Sequence, residues 1–284
     1  MYVAKVRQKM RIHSIEIGFF STDGGAMFGV VPRRVWSRKY TAGLDNRCAL
    51  TMRALYAEMP NHKVLFDVGL GEAVVDGMDY YQFHQLKSLT KELEALNCQA
   101  HEVTDVVLSH LHFDHCGGAV RCLDSGEWVP SFPNATYWVS KRQWALAQNP
   151  SAWEADSYVP ERIRVLESKG LLRLVEADGP LFDGVSVQLY QGHTEGQLVS
   201  WVHLDDALYV VPSDVLPMEL HVLPLCIAAV DCSAQVSMDE KARLLDAVVE
   251  KKAWVFLYHD TQTQAIRLKK KNGTISVAER LMRK

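Results

Sequence analysis

Short apolar runs that end in aspartate or histidine constrain the fold of this chain more than any other feature. Five such runs can be recognised: 64–66 before Asp67, 106–109 before His110, 185–192 before His193, 208–213 before Asp214 and 254–258 before His259. Their β-branched and aromatic residues predict strands. Loops that follow neighbouring strands of a layered α/β protein meet at one edge of the sheet. We therefore expect these five polar residues to converge on one site.

The pattern of helices and strands predicts a layered α/β or α+β fold, and periodicity does not choose between the two. Apolar residues recur every three or four positions in 82–100, which predicts a helix. A second helix is predicted over 161–169, and a third from Ser237, where 237–240 has the form of a capping box. Strands are predicted at 64–66, 106–108, 136–139, 185–190, 198–203, 208–211 and 254–257.

Length and composition indicate one large, soluble unit. The 284 residues are 48% hydrophobic, and neither repeats nor a Pro/Gly/Ser-rich linker divides them, so residues 1–284 are predicted to form a single domain. The net charge is −3, and the only cluster of lysines is the short run 269–271. A nucleic-acid partner is therefore not expected.

The cysteines and the N-terminus favour a cytoplasmic location. The six cysteines include no CxxC pair, which is typical of a reducing compartment. Charges in 11–16 interrupt any apolar stretch after the basic start, so no signal peptide is predicted. No uncharged apolar run approaches the roughly 20 residues needed to cross a bilayer, and no membrane association is expected. A homodimer is left open.

The run 110–115 contains four metal-ligand residue types within six positions. His110 and His112 would point the same way if the chain stays extended, because side chains alternate along a strand. Asp114 and His115 would face a second ion as the backbone bends at the glycine pair 117–118. The alternative is an exposed histidine-rich loop. Alone, Asp67, His193 and His259 would be ordinary turn, core or surface residues, and their significance comes from their shared position.

This run resembles the HxHxDH motif of the metallo-β-lactamase superfamily, and the similarity extends over residues 12–265. It implies a four-layer αββα sandwich and a metal-dependent hydrolase. The cofactors implied are two divalent ions, zinc in the first place, with iron, manganese or cobalt as alternatives. Asp67 is implied to orient a ligand histidine. The implied ligands are His110, His112 and His193 for one ion, Asp114, His115 and His259 for the other, and Asp214 as a bridge.

A narrower resemblance concerns the substrate. Residues 23–32, Trp36 and the Tyr-His-Asp run 258–260 are similar to YtnP-type quorum-quenching lactonases, which open N-acyl-homoserine lactones. Met27, Phe28, Trp36 and the hydrophobic segment 215–225 are predicted to form an apolar wall for the substrate's acyl group. The alternative is that they are ordinary core residues in a glycine-rich turn.

One departure from the relatives concerns catalysis. Some of them carry a tyrosine three residues after the bridging aspartate, where this chain has Pro217. His221 is predicted to lie over the site and donate a hydrogen bond to the oxyanion instead, with a simple loop histidine as the alternative. Asp114 is predicted to transfer a proton to the leaving oxygen.

The predicted reaction is lactone opening by a hydroxide held between the two ions. The same nucleophile could attack a phosphotriester, an aryl ester or a thioester, because the fold does not determine the substrate. A metal-binding protein without hydrolytic activity is the alternative from another class.

Overall fold

A computed structural model describes residues 10–71, 78–205 and 207–283. Most of the N-terminal segment on which the signal-peptide prediction rests lies outside the described residues. In the part of the chain that the structure describes, every helix is too short or too polar to cross a membrane.

Two β-sheets dominate the described residues. The first has the strand order β1-β2-β3-β4-β7-β8, the second has the order β15-β14-β13-β12-β11-β10-β9, and β5 and β6 form a small hairpin. The strands are β1 (Arg11–Asp23), β2 (Arg47–Glu58), β3 (Lys63–Phe66), β4 (Asp105–Val107), β5 (Val120–Cys122), β6 (Trp128–Pro130), β7 (Thr136–Ser140), β8 (Leu172–Val175), β9 (Gly179–Phe182), β10 (Val185–Tyr190), β11 (Gln197–Leu204), β12 (Ala207–Val211), β13 (Trp254–Phe256), β14 (Thr263–Lys271) and β15 (Thr274–Met282).

Helices cover the sheets. The α-helices are α1 (Gly24–Phe28), α2 (Arg33–Trp36), α3 (Leu89–Ala95), α4 (Phe113–Cys116), α5 (Lys141–Gln148), α6 (Pro160–Ser168) and α7 (Ala234–Lys251). Leu244, Leu245 and Val248 of α7 pack on the second sheet in one apolar cluster. A larger cluster joins the two sheets to α3 and α6. This mixed arrangement of sheets and helices confirms the predicted fold class.

The strand directions bring the ends of the predicted runs together. β3 runs parallel to β4 in the first sheet, and β12 runs parallel to β13 in the second. β10 and β12 both pair antiparallel with β11, so they share one direction. The carboxyl ends of neighbouring parallel strands lie at the same edge of a sheet, which is where layered α/β proteins build sites.

The predicted helix over 82–100 is wrong except for its centre, where α3 covers Leu89–Ala95. Gln82 and Gln85 have φ angles of 50° and 51°, which a right-handed helix does not allow. Phe19 and His84 instead form an isolated antiparallel bridge. The apolar spacing of this segment comes from its packing against β1 and not from a helical period.

The other two helix predictions fared better. α6 confirms the helix predicted over 161–169, with Pro160 at its start. α7 begins three residues earlier than predicted, with Ser233 as the N-cap residue. Glu240 does not reach back to cap the helix, because its carboxylate accepts hydrogen bonds from the backbone N–H groups of Gln191 and Gly192. It therefore fixes the loop directly before His193.

Candidate metal centre

The loop after β4 owes its path to two glycines. His112 is the N-cap residue of α4, so Asp114 and His115 turn away from the extended residues before them. A Cβ atom on Gly117 would lie 2.3 Å from the carbonyl oxygen of Leu70, and one on Gly118 would lie 2.3 Å from that of Val68. Any larger residue would push this loop away from the segment that follows Asp67.

Three histidines form a first group. His112 Nδ1 lies 3.0 Å from His110 Nε2 and 3.3 Å from His193 Nε2. These three nitrogens face one another, and they lie close enough together for one metal ion to contact all three. We refer to His110, His112 and His193 as the three-histidine group.

A second group lies beside the first. Asp114 Oδ2 lies 3.6 Å from His115 Nε2 and 3.6 Å from His259 Nε2. These atoms also have the spacing of ligands to one ion. We refer to Asp114, His115 and His259 as the aspartate group.

Asp214 faces both groups. Its Oδ2 atom lies 3.3 Å from His193 Nε2, on the side of the three-histidine group. Its Oδ1 atom lies 3.2 Å from His259 Nε2 and 3.4 Å from His115 Nε2, in the aspartate group. One oxygen therefore points to each group, which is the geometry that a bridging carboxylate needs.

The strands of the core orient the histidines of the aspartate group. The Nδ1 atom of His115 lies 3.0 Å from Asp67 Oδ2, and His259 Nδ1 donates to the carbonyl oxygen of Thr51 over 2.8 Å. Asp67 also accepts hydrogen bonds from the backbone N–H and the hydroxyl of Ser109. A proton on each Nδ1 leaves Nε2 free as a ligand. Asp67 thus lies where the sequence-based hypothesis needs it.

Loop carboxylates lie beside two members of the three-histidine group: Asp231 within hydrogen-bond distance of His193, and Glu154 facing His112 from beyond that distance. His193 Nδ1 lies 2.8 Å from Asp231 Oδ1, and His112 Nε2 lies 3.6 Å from Glu154 Oε1. Burial alone would raise the pKa of Glu154, but contacts with His112 and Thr194 lower that pKa to about 2. Glu154 therefore faces His112 as a carboxylate.

The electrostatics of the cluster suit a cation. Burial would raise the pKa of Asp214, but His115, His259 and His193 hold it well below its ordinary value, so this carboxylate stays ionised. Burial also lowers the pKa of His110, which favours its neutral, ligand form. Within the described residues, Asp214 Oδ1 and His115 Nε2 are buried without a hydrogen-bond partner.

Such unpartnered atoms cost roughly 1–3 kcal/mol each, and a bound cation would satisfy them. Nitrogen and carboxylate donors without a thiolate fit zinc, iron, cobalt or manganese. The residues present therefore fit a pair of divalent ions.

A cavity of about 340 Å³ opens over the cluster. Its polar lining includes Asp114, Asp214, His112, His193 and His259, which we call its floor, together with Glu154, Asp156 and Ser157. The rest of the lining is largely apolar and consists of Phe20, Ala26, Met27, Leu50, Tyr81, Phe113, Trp153, Pro217, Ala228 and Val230, together with Thr22. This lining differs from the predicted one.

Of the predicted wall, Met27 lines the cavity, as does Pro217 from segment 215–225, whereas Phe28 and Trp36 do not. Phe28 is completely buried and stacks on Trp36, with ring centroids 4.9 Å apart. Trp36 in turn packs against Gly24, where a Cβ atom would lie 2.2 Å from the indole ring. Phe28 and Trp36 are therefore core residues behind the wall, which corrects their predicted contact with substrate.

His221 also lies behind the wall and not over the metal groups. Its Nε2–H donates to the carbonyl oxygen of Met27 over 2.9 Å, and its ring stacks on Phe28. Burial lowers its pKa to about 4, so it is neutral near pH 7. His221 is absent from the residues that line the cavity. Its predicted hydrogen bond to the substrate does not match this position, which instead holds the Met27 segment in place.

Sequence reasoning missed several residues that line the cavity or contact the ligand histidines. Tyr81 and Phe113 line the cavity, and their ring centroids lie 5.1 Å apart. Trp153 and Glu154 come from the loop between α5 and α6, and Asp231 comes from the loop before α7. Phe113 could have been found, because it lies inside the HxHxDH run. The loop residues carry no pattern that reveals them.

Comparisons with known proteins agree with this geometry. Residues 55–258 match the family model of the metallo-beta-lactamase superfamily. No curated protein matches the chain. A probable metal-dependent hydrolase from Staphylococcus aureus has a similar structure, with a TM-score of 0.88, 24% identity and 97% of each chain covered.

Two further similar structures are lactonases. The dizinc quorum-quenching lactonase AidC has a TM-score of 0.77, 18% identity and 96% of each chain covered. AiiA from Bacillus thuringiensis, with N-decanoyl-L-homoserine bound, has a TM-score of 0.69 and 18% identity over 89% of this chain and 94% of that chain. At these identities the likeness concerns the fold. Because the family match covers most of the chain, the protein belongs to the metallo-β-lactamase superfamily.

Proposed function

We propose that this protein is a dinuclear metal-dependent hydrolase that opens N-acyl-homoserine lactones. The observation that carries the proposal is the position of Asp214, with one oxygen toward each ligand group. This pair of groups forms the floor of a cavity whose remaining lining is largely apolar. The lactonases among the similar structures support the same substrate class.

Two divalent ions in these groups would supply the Lewis acidity that generates hydroxide from water near neutral pH and polarises a carbonyl group. His110, His112 and His193 would hold one ion, Asp114, His115 and His259 the other, and Asp214 both. Asp67 fixes the Nδ1–H tautomer of His115, so that Nε2 stays available. Zinc is the first choice, with iron, manganese and cobalt as alternatives.

Asp114 has a second task in this proposal. Its carboxylate lines the cavity, and its backbone carbonyl accepts a hydrogen bond from the buried hydroxyl of Tyr258 over 2.6 Å. This contact holds the start of α4 in place. From this position Asp114 can carry a proton to the alkoxide that leaves when the lactone C–O bond breaks.

The apolar wall suits an acyl chain. Phe20, Met27 and Phe113 lie in the same cavity as the metal groups, so one substrate could place its lactone on the floor and its chain against these side chains. Burying one methylene group is worth about 0.8 kcal/mol, which makes acyl-chain length a sensitive probe of this wall.

A substrate panel tests the proposal. Protein loaded with a defined metal is assayed with N-acyl-homoserine lactones, an aryl ester, a thioester and a phosphotriester, with chelated protein as the control. We expect the lactones to be opened with the highest kcat/KM, with release of one proton per ring. Intact lactones beside rapid phosphotriester hydrolysis would contradict the lactonase proposal and leave the metal-dependent hydrolase in place.

A further inference from the structure

The mouth of the cavity carries two exposed apolar side chains on different loops. Trp153 and Val230 both line the cavity, and these residues are 67% and 49% exposed. The indole N–H of Trp153 donates to the carbonyl oxygen of Val230 over 3.1 Å. We call this pair the lip. Its hydrogen bond joins the loop before α6 to the loop before α7.

Each residue of the lip is followed directly by a buried carboxylate. Glu154, which follows Trp153, has its Oε1 atom 3.6 Å from His112 Nε2 and accepts a hydrogen bond from Tyr158. Asp231, which follows Val230, has its Oδ1 atom 2.8 Å from His193 Nδ1. Asp231 therefore supports His193 through a hydrogen bond, and Glu154 faces His112 as a charge at 3.6 Å.

Further contacts tie the same two loops to that group. Thr194, the neighbour of His193, donates its hydroxyl to Glu154, and the backbone N–H of Cys232 donates to the carbonyl oxygen of His193 over 3.0 Å. The Nδ1 atoms of His115 and His259, in the aspartate group, contact Asp67 and the carbonyl of Thr51, which follow or lie in core strands. Movement of the lip can thus reach one metal group more directly than the other.

We propose that Trp153 and Val230 bind the substrate's acyl chain, and that Glu154 and Asp231 transmit this contact to His112 and His193. The inference rests on the proposed lactonase function and extends it. Short chains would reach the metal floor without touching the lip, whereas long chains would pack against Trp153. Trp153 is then a specificity-determining residue, and Glu154 and Asp231 are positioning residues.

Two variants of Trp153 separate contact from coupling. Trp153→Ala removes the apolar surface, and its exposed position makes loss of folding an unimportant risk. Trp153→Phe keeps a ring but removes the indole N–H that joins the two loops. Trp254→Phe is the matched control, because this half-buried residue begins β13, at the opposite end of that strand from His259.

The first measurement is the ratio of kcat/KM for N-decanoyl- and N-butanoyl-homoserine lactone. Because one buried methylene contributes about fourfold to binding, we expect Trp153→Ala to lower the ratio by roughly tenfold or more, with the butanoyl substrate changed less than about threefold. An unchanged ratio would overturn the inference alone. A wild-type protein that opens no lactone would overturn the proposed function and this inference together.

The second measurement needs no turnover. The ring-opened N-decanoyl- and N-butanoyl-homoserines are added at saturation, and metal loss to a chelator is followed. In the wild type and Trp254→Phe, the decanoyl compound should slow the loss of one ion by about tenfold relative to the butanoyl compound, as expected when support of a ligand changes. Trp153→Phe should abolish this difference. Equal rates in the wild type, or a difference that persists in Trp153→Phe, would overturn the coupling.

Discussion

The two ligand groups of the metal centre differ in what holds them. The aspartate group is supported by the core: Asp67 follows β3, Thr51 lies in β2, and the ring of Tyr258 stacks on His115 at 4.1 Å. In the three-histidine group, Glu154 and Asp231 come from loops that also form the cavity mouth. The aspartate group is therefore held by the sheets, whereas two of the three histidines of the other group, His112 and His193, also face carboxylates from loops that line the cavity or lie beside it.

This difference suggests a division of labour within one site. Ligands that are supported by strands keep their geometry whether or not substrate is present, because the strands are fixed by ladder hydrogen bonds on both sides. Ligands that are supported by loops can respond to substrate at the mouth. Asp214 belongs to both groups, so variants at Asp214, Asp67 and Glu154 can test the comparison separately.

The largest effect is expected for Asp214→Ala, which removes the residue common to both groups. Both ions should bind far more weakly, and kcat/KM should fall by at least about 10³-fold, because both the nucleophile and carbonyl polarisation depend on them. Elemental analysis and lactone kinetics measure the two effects. Asp124→Ala, in an exposed turn, is the control. A fully metallated and active Asp214→Ala protein would contradict the bridging role of Asp214.

A smaller effect is expected for Asp67→Asn, larger for the aspartate group, which Asp67 contacts directly at His115, than for His110, which it reaches only through Ser109. Asp67 has a φ angle of 54°, a conformation that asparagine also tolerates, so the backbone should be kept. Loss of the carboxylate should lower the affinity of the aspartate group for its ion by about 10- to 100-fold. Anomalous diffraction gives the occupancy at each group, with the exposed Asp183→Asn as control. Equal loss of metal from both groups would contradict the different support of the two groups.

Glu154→Gln should act on the opposite group and less strongly. Its Oε1 atom is 3.6 Å from His112 Nε2, longer than a good hydrogen bond, so we expect the affinity of the three-histidine group to fall by about tenfold, at the lower end of such effects. The same occupancy measurement applies, and Glu161→Gln on the exposed side of α6 is the control. Weaker metal binding at the aspartate group alone would contradict the assignment of Glu154 to the three-histidine group.

The position of each residue in the fold explains whether the sequence could predict its part in this centre. His110, His193, Asp214 and His259 could be identified because each follows an apolar strand, and strands that share a direction deliver their ends to one edge. The roles of Glu154 and Asp231 could not be identified from the sequence. The loops that carry them are positioned by tertiary contacts, such as the hydrogen bond between Trp153 and Val230.

The fold shows the same limit. The seven predicted strands were found because their β-branched and aromatic residues reflect local preferences. The long strands β1, β2, β14 and β15 were not predicted. The segment 82–100 has a helical apolar period, but Gln82 and Gln85 adopt left-handed conformations so that the chain can pair with β1. A single sequence does not reveal such an override of local periodicity by packing.

The smallest effect on turnover is expected for His221→Gln, since His221 lies behind the wall. Glutamine can keep a donor for the Met27 carbonyl, so kcat should change less than about threefold, well below the loss expected of an oxyanion donor. A loss of 10²-fold with normal metal content would instead return His221 to the substrate side of the cavity.

The same variant should change how stability depends on pH. The pKa of His221 is lowered by burial to about 4 from an ordinary 6.5, so the unfolded chain binds a proton that the folded protein does not. The wild type should therefore lose up to about 3 kcal/mol of stability as the pH falls from 6.5 to 4. Denaturant unfolding should show that His221→Gln lacks this part of the loss. If the unfolding free energies of the wild type and His221→Gln changed with pH in the same way, the buried, neutral state of His221 would be contradicted.

Two adjacent ligand groups that share Asp214 are proposed to hold two catalytic ions. Metal-free protein can be titrated with one divalent metal while bound metal and lactone hydrolysis are followed together. We expect two ions per chain, with full activity only after the second ion has bound. Full activity with a single ion per chain would contradict this proposal.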